Sequence, residues 1–149
     1  MQLKTNNYFF ILALCIMALA ILCMASILSP IRFDRKRAQR EQVVMERLMK
    51  IRQAEAAYLH AHGTFASDLK TLTASGLLAD SLTFIPYSDG ERFELETSVV
   101  TEKSGRETNT MECGAQYQQY LKGLDENSIA NIIEDANKNG QYPGVMVRM

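Results

Sequence analysis

The chain has 149 residues, 47% of them hydrophobic and 22% charged, and its 16 Lys and Arg nearly balance 17 Asp and Glu to leave a formal net charge of −1. That length excludes more than one sizeable domain, and part of it goes to a segment too apolar to belong to a soluble core. The near-neutral total conceals an uneven distribution: between residues 31 and 52 basic side chains (Arg32, Arg35, Lys36, Arg37, Arg40, Arg47, Lys50, Arg52) outnumber the acids Asp34, Glu41 and Glu46, whereas from Asp80 onward acids outnumber bases about two to one.

Residues 1–7 form a short N-terminal flank. From Tyr8 to Leu28 the chain reads "YFFILALCIMALAILCMASIL", without a charge and with Ser26 as its polar interruption. At about 1.5 Å per residue such a run spans a hydrocarbon core of about 30 Å as a helix. A cleaved signal peptide needs a shorter apolar region of about 7 to 15 residues and a small-residue cleavage site. Ala25 and Ser26 are small, but the apolar run continues past them, so a retained transmembrane helix is expected over residues 8–29. Lys4 precedes the span, whereas Arg32, Arg35, Lys36, Arg37 and Arg40 follow it against Asp34 and Glu41. The positive-inside bias then points the larger part of the chain into the cytoplasm, while the same residues also suit anionic lipid headgroups.

Residues 30–62 carry a helical period. Val44, Leu48, Ile51 and Tyr58 fall near one face, with Val43, Ala54 and Leu59 beside it, and Arg47, Lys50, Arg52 and Gln53 take the other side. Pro30 stands at its start, where it either kinks one long helix or opens a second, and Gly63 is placed to end it in the left-handed conformation. The basic residues lack an interleaved series of aromatic side chains for stacking on bases, so a solvated or lipid-facing helix face is expected and no nucleic-acid partner.

The remaining residues, 63–149, predict a small α+β head. "TFASDLKTLTASG" reads as a short helix capped by Ser67 or Asp68, stopped by Gly76, with Leu69 and Leu72 inward. "SLTFIPY" and "RFELETSVVT" read as strands joined at Asp89-Gly90, a hairpin turn signal. A second turn at "EKSGR" leads to a third strand, "ETNTMECGA". Phe93, Leu95 and Val99 alternate with Glu94 and Glu96, giving a wet face and a face that covers a helix. In "GLDENSIANIIEDANKNG", Asp125 or Asn127 caps a further helix with an apolar stripe of Ile129, Ile132, Ile133 and Ala136 that ends at Gly140. "YPGVMVRM" adds a last edge strand through Val145 and Val147. The predicted class is therefore α+β: a long N-terminal helix, half transmembrane and half amphipathic, packed on a small antiparallel sheet, with a further C-terminal helix.

No catalytic constellation is present in the pattern. His60 and His62 are two apart, which on a helix points them about 200° from one another, so they do not make the same-face pair of a helical zinc site; a metal site there would need Cys113 as a third ligand. They read as ordinary residues near a helix end, where a cation suits the dipole. Cys113 is alone in the head, so no disulfide forms there, and a single head cysteine fits a reducing compartment slightly better than an oxidising one. Cys15 and Cys23 read as apolar packing residues that share a helix face. Glu91, Glu94, Glu96 and Glu102 read as a solvated strand face, and Tyr117 and Tyr120 as packing at the base of the head. The chain contains no G-x-S-x-G, no glycine-rich phosphate loop and no H-E-x-x-H. The expectation is a non-enzymatic protein with no catalytic, cofactor-binding or metal-binding residues.

The order of these parts, a hydrophobic N-terminal helix, a proline, the amphipathic "KRAQREQVVMERLMKIRQAEAAYLHAHGTF", a short "SDLKTL" helix and then strands, resembles the type IV pilin and type II secretion pseudopilin family, the major pseudopilins especially. The resemblance covers roughly residues 8 to 100 and is carried best by "RKRAQREQVV", "AEAAYLHAHGTF" and "LKTL". It implies an N-terminal helix that is half membrane anchor and half spine of a small head packed on an antiparallel sheet, with the anchor half packing against neighbouring subunits. It also implies a bacterial inner membrane location with the head in the periplasm. The family's cleavage motif and the glutamate that follows it have no counterpart here: Asn7 precedes Tyr8, and Leu12 stands where the glutamate belongs. The paired-aspartate calcium loop of the major pseudopilins is also missing. An uncleaved, stationary single-pass component of a secretion or surface-envelope system fits this pattern, with the lipid bilayer and other membrane or envelope proteins as partners and self-association through the N-terminal helix. The alternative is a membrane-tethered interaction or adaptor module with a cytoplasmic head, which the basic flank and Cys113 favour.

Overall fold

The computed structural model describes residues 3–101 and 107–149. Its elements in chain order are helix α1 (Leu3–His62), helix α2 (Leu69–Ala74), a 3₁₀ turn (Asp80–Leu82), strands β1 (Glu94–Thr101) and β2 (Glu107–Gln116), a single helical turn α3 (Tyr117–Tyr120), helix α4 (Glu126–Lys138) and strand β3 (Gly144–Arg148). The class is α+β, as the hydrophobic periods predict. The chain divides into two compact units, Met1–Lys36 and Arg37–Met149.

Among the described residues, the first unit is helix alone. Pro30 lies inside α1, so the proline neither ends one helix nor starts another. The large apolar side chains from Tyr8 to Met24 all stand exposed, and this helix is long and apolar enough to cross a membrane. A helix apolar on all sides has no polar face to give to water, which is the pattern lipid selects.

The second unit holds the core. Its part of α1 contributes Val44, Leu48 and Ile51, none of which reaches solvent, and Ala54. These recur at helical spacing, and burying each of the larger ones is worth about 1.5–3 kcal/mol. Gly63 ends the helix with a φ of 76°, and its N–H donates to the Leu59 carbonyl at 2.8 Å. Asp68 then caps α2 by accepting the Thr71 N–H at 2.7 Å, which turns Leu69 and Leu72 inward. The sheet is antiparallel in the order β1-β2-β3, with Leu95 opposite Cys113 and Cys113 opposite Val147. Side chains alternate across a strand, so Phe93, Met111, Cys113, Ala115 and Val147 share the buried face. Asp125 caps α4, from which Ile129 and Ala136 are buried while Ile132 and Ile133 are half-buried.

Three expectations need correction. The stretch "SLTFIPY" is not a strand: it holds the 3₁₀ turn and then a single bridge, Phe84 to Arg92. Pro86 lacks the donor that a continuing ladder requires, and Tyr87 at φ 66° and Asp89 at φ 55° bend the chain away at once. β1 pairs with β2 instead. Val99 is not covered either; its position on the inner face lies beyond the core and it is 61% exposed. Third, Arg37, Arg40 and Arg47, expected on a solvated or lipid-facing side, bond to other parts of the second unit. The "EKSGR" turn and Glu102 lie outside the described residues.

Candidate functional site

The side chains with chemical potential are spread apart. His60 and His62 are exposed, and the Tyr58 ring lies 4.3 Å from that of His62. Among the described residues, no group of three or more His, Cys, Asp and Glu is placed to hold a metal ion. All three cysteines are free, with Cys15 and Cys23 exposed. Cys113 is buried, and its thiol is pushed up to about 12, first by burial and then by the charge of Glu55. A thiol held that far above neutrality is not a nucleophile. Glu91, Glu94 and Glu96 are exposed on the strand region, as expected of a solvated face.

One residue escaped the sequence reading. Glu55 follows Ile51 by four positions and so continues the buried stripe of Val44, Leu48 and Ile51; its side chain has no solvent exposure. Oε2 accepts the Ala66 N–H at 3.0 Å, while Oε1 has no partner. Burial raises its carboxyl above the ordinary range, and the bond from Ala66 works against that rise. The contact reaches from α1 to a residue eleven positions later, so Glu55 pins the connector between Gly63 and the Asp68 cap. Spacing alone marks the position: an acid at the next step of an apolar stripe signals a buried partner. Its seclusion from solvent gives it a positioning role.

The basic residues of α1 in the second unit fasten that helix to the polypeptide around it. Arg37 donates through Nε to Glu41 at 2.8 Å and through Nη2 to the Tyr117 hydroxyl at 3.0 Å. Arg40 donates to the carbonyls of Tyr120 and Lys122, both at 2.9 Å, with its guanidinium 4.6 Å from the centre of the Tyr87 ring. Arg47 donates to the carbonyls of Phe84 at 2.6 Å and Ser81 at 3.3 Å. Bonds from a charged donor are worth about 1.5–3 kcal/mol when shielded and less where water competes. Arg32, Arg35 and Lys36 remain exposed. Tyr120 has no exposure, so the expected packing role holds, and burial pushes its hydroxyl well above the usual phenol range.

Two concave surfaces border the sheet. On the outer face a groove of about 350 Å³ is lined by Glu94, Glu96, Glu112, Tyr142, Met146 and Arg148. Arg148 pairs with Glu112 at 2.6 Å, and the Tyr142 hydroxyl occupies space that a side chain at position 114 would need, 3.1 Å from where its Cβ would stand. Burial, then the charges of Glu94, Cys113 and Glu96, raise that hydroxyl above its ordinary value. On the inner face, at the far end of β1, a groove of about 180 Å³ lies among Thr64, Phe65, Thr97, Val99 and Asn109. Neither lining converges a base, a nucleophile and an oxyanion donor. No protein-family model, curated protein or solved structure matches this chain.

Proposed function

We propose that this chain is a non-enzymatic single-pass membrane protein of the bacterial inner membrane, with a pilin-like head held in the periplasm, acting as a structural or assembly component of a secretion or surface-envelope system. The observation that carries the reading is the contrast along α1: an exposed, wholly apolar stretch from Tyr8 to Met24, and a later stretch whose Val44, Leu48 and Ile51 form the core of an α+β unit. The order of helix, glycine stop, capped short helix and antiparallel strands follows the pseudopilin resemblance. Asn7-Tyr8 and Leu12 in place of the cleavage site and the glutamate favour a stationary component over a filament subunit.

A cytoplasmic adaptor is the second reading, favoured by exposed Arg32, Arg35 and Lys36 after the apolar stretch and by the free thiol of Cys113. Sidedness separates the two. In a variant with Cys15→Ala, Cys23→Ala and Cys113→Ser, one cysteine at the exposed α4 position through Asn131→Cys is offered to a membrane-impermeant thiol reagent in intact spheroplasts. Labelling is the expected result. Labelling only after lysis would remove the pilin-like assembly reading and leave the adaptor.

A further inference from the structure

The main-chain groups of the sheet reveal which edge is open. Met111 and Met149 exchange both of their bonds at 2.9 Å, and the Tyr117 N–H donates to the Pro143 carbonyl at 2.9 Å, so the odd-numbered residues of β2 bond toward β3. Alternate residues of an antiparallel strand bond to opposite neighbours. The even-numbered residues of β2 therefore bond toward β1, and the register Glu96 to Glu112 and Ser98 to Thr110 makes the even-numbered residues of β1 their partners. It follows that the N–H and C=O groups of Leu95, Thr97 and Val99 point off the sheet. The chain uses the start of this row itself, because the Phe93 N–H donates to the Thr83 carbonyl at 2.9 Å. Past Phe93 the bridging segment has turned away, and no group among the described residues bonds the outward row.

Proteins blunt such edges with charge, proline or bulges. The run "TSVVT" from Thr97 to Thr101 has none of these, and Val99 and Val100 are 61% and 49% exposed on opposite faces. β3, the other edge strand, is shorter and ends at Arg148.

We propose that the open edge of β1 docks an extended segment of another protein whose alternate side chains are basic and aliphatic. Two features select that occupant. Glu94 and Glu96 are exposed on the outer face, and among the described residues neither has a cation within salt-bridge distance, whereas Glu112 one strand away has Arg148. Their i, i+2 spacing matches alternate side chains of a strand added about 4.8 Å away. On the inner face Phe65, Thr97 and Val99 line the smaller groove, where the aliphatic side chains that follow the basic pair along the added strand fit. The chemistry belongs to the sheet edge and holds on either side of the membrane, so it survives or fails independently of the sidedness test.

The full chain in lipid nanodiscs, titrated with an acetylated peptide of about eight alternating lysine and valine residues and followed by fluorescence anisotropy, tests this directly. Saturable binding is expected, weakened at least about tenfold when alternate amides of the peptide are N-methylated. Val99→Pro removes an off-sheet donor without touching the ladder to β2 and is expected to abolish binding at an unchanged melting temperature. Glu94→Lys with Glu96→Lys, both exposed positions, is expected to switch preference to a glutamate–valine peptide. The idea is overturned by absence of saturable binding, by equal binding of the N-methylated peptide, or by a charge-reversed variant that still prefers lysine. A wild-type chain that self-associates through this edge and excludes the peptide also overturns it.

Discussion

Leucine and isoleucine meet opposite fates in the two regions of α1. In the first unit Leu14 is 73% exposed and Leu19 61%; in the second, Leu48 and Ile51 have no exposure at all. The difference lies in arrangement. Before Leu28 the apolar residues surround the helix, so no rotation hides them from solvent, and the segment is long and apolar enough to cross a membrane. After Arg37 they form a stripe that a sheet covers, and charged side chains hold the remaining surface. The same side chains thus make an all-round apolar surface or a core according to their arrangement.

The comparison breaks hardest at the stripe. Leu48→Asp or Ile51→Asp places an unpaired carboxylate in the core, at a cost of about 3–5 kcal/mol, and is expected to abolish cooperative melting of the second unit. An unchanged melting transition would mean that this face is not buried. Leu19→Asp is the counterpart. It is expected to leave that transition intact but to cost about 2.5–3.5 kcal/mol of insertion, read as loss of the protein from the membrane fraction. If Leu19→Asp unfolds the second unit, the two regions are energetically one.

The next effect concerns the sheet. A Cβ on Gly144 would overlap the Ala115 carbonyl, where β3 meets β2 at the Gln116 to Gly144 rung. Gly144→Ala is expected to lose about 3 kcal/mol and to release β3, seen as faster amide exchange from 144 to 148. Gly114→Ala meets the Met146 Cβ and the Val145 carbonyl at 3.0 Å and the Tyr142 hydroxyl at 3.1 Å, all wider than the overlap at Gly144, so a smaller loss is expected. Equal losses would show that β3 does not depend on the close approach at Gly144.

Most of the architecture is legible in the sequence because it is written in local chemistry. The apolar period, the glycine at 63 and the acids at 68 and 125 each satisfy a helix terminus or a helix face without help from distant residues. What the sequence hides is set by contacts across large separations. Arg37 reaches a tyrosine hydroxyl eighty positions away, and nothing near residue 37 announces it. The segment 81–87 carries strand-forming residues, yet Pro86 and the 3₁₀ turn outweigh that propensity. Glu55 continues the apolar stripe by spacing, but the donor that lets a carboxylate sit there, the Ala66 N–H, comes from beyond the end of the helix. The open edge of β1 required strand order and register, which no single segment contains.

Arg47 measures how far the basic residues of α1 serve the head. Arg47→Met keeps most of the aliphatic stem and removes the bonds to the Phe84 and Ser81 carbonyls. A loss of about 1–2 kcal/mol is expected, with faster amide exchange confined to residues 80–93. Arg35→Met, at an exposed position of the first unit, is expected to change neither. Equal effects would return Arg47 to a solvated helix face.

Glu55 gives the gentlest test, a tilt of the stability curve with pH. Its folded carboxyl lies above the ordinary value of 4.5, principally through burial, so in the window above 4.5 the folded chain binds more proton than the unfolded one. Stability then falls as pH rises through that window. The contribution is complete below the ordinary carboxylate range and lost once pH passes the raised folded value. Cys113, whose thiol burial and the charge of Glu55 push up to about 12, stays neutral throughout. Glu55→Gln keeps an acceptor for the Ala66 N–H and cannot ionise, so its melting temperature is expected to stay flat where that of the wild type declines. A parallel decline in both would assign the slope to exposed carboxylates and leave Glu55 ionised in the core.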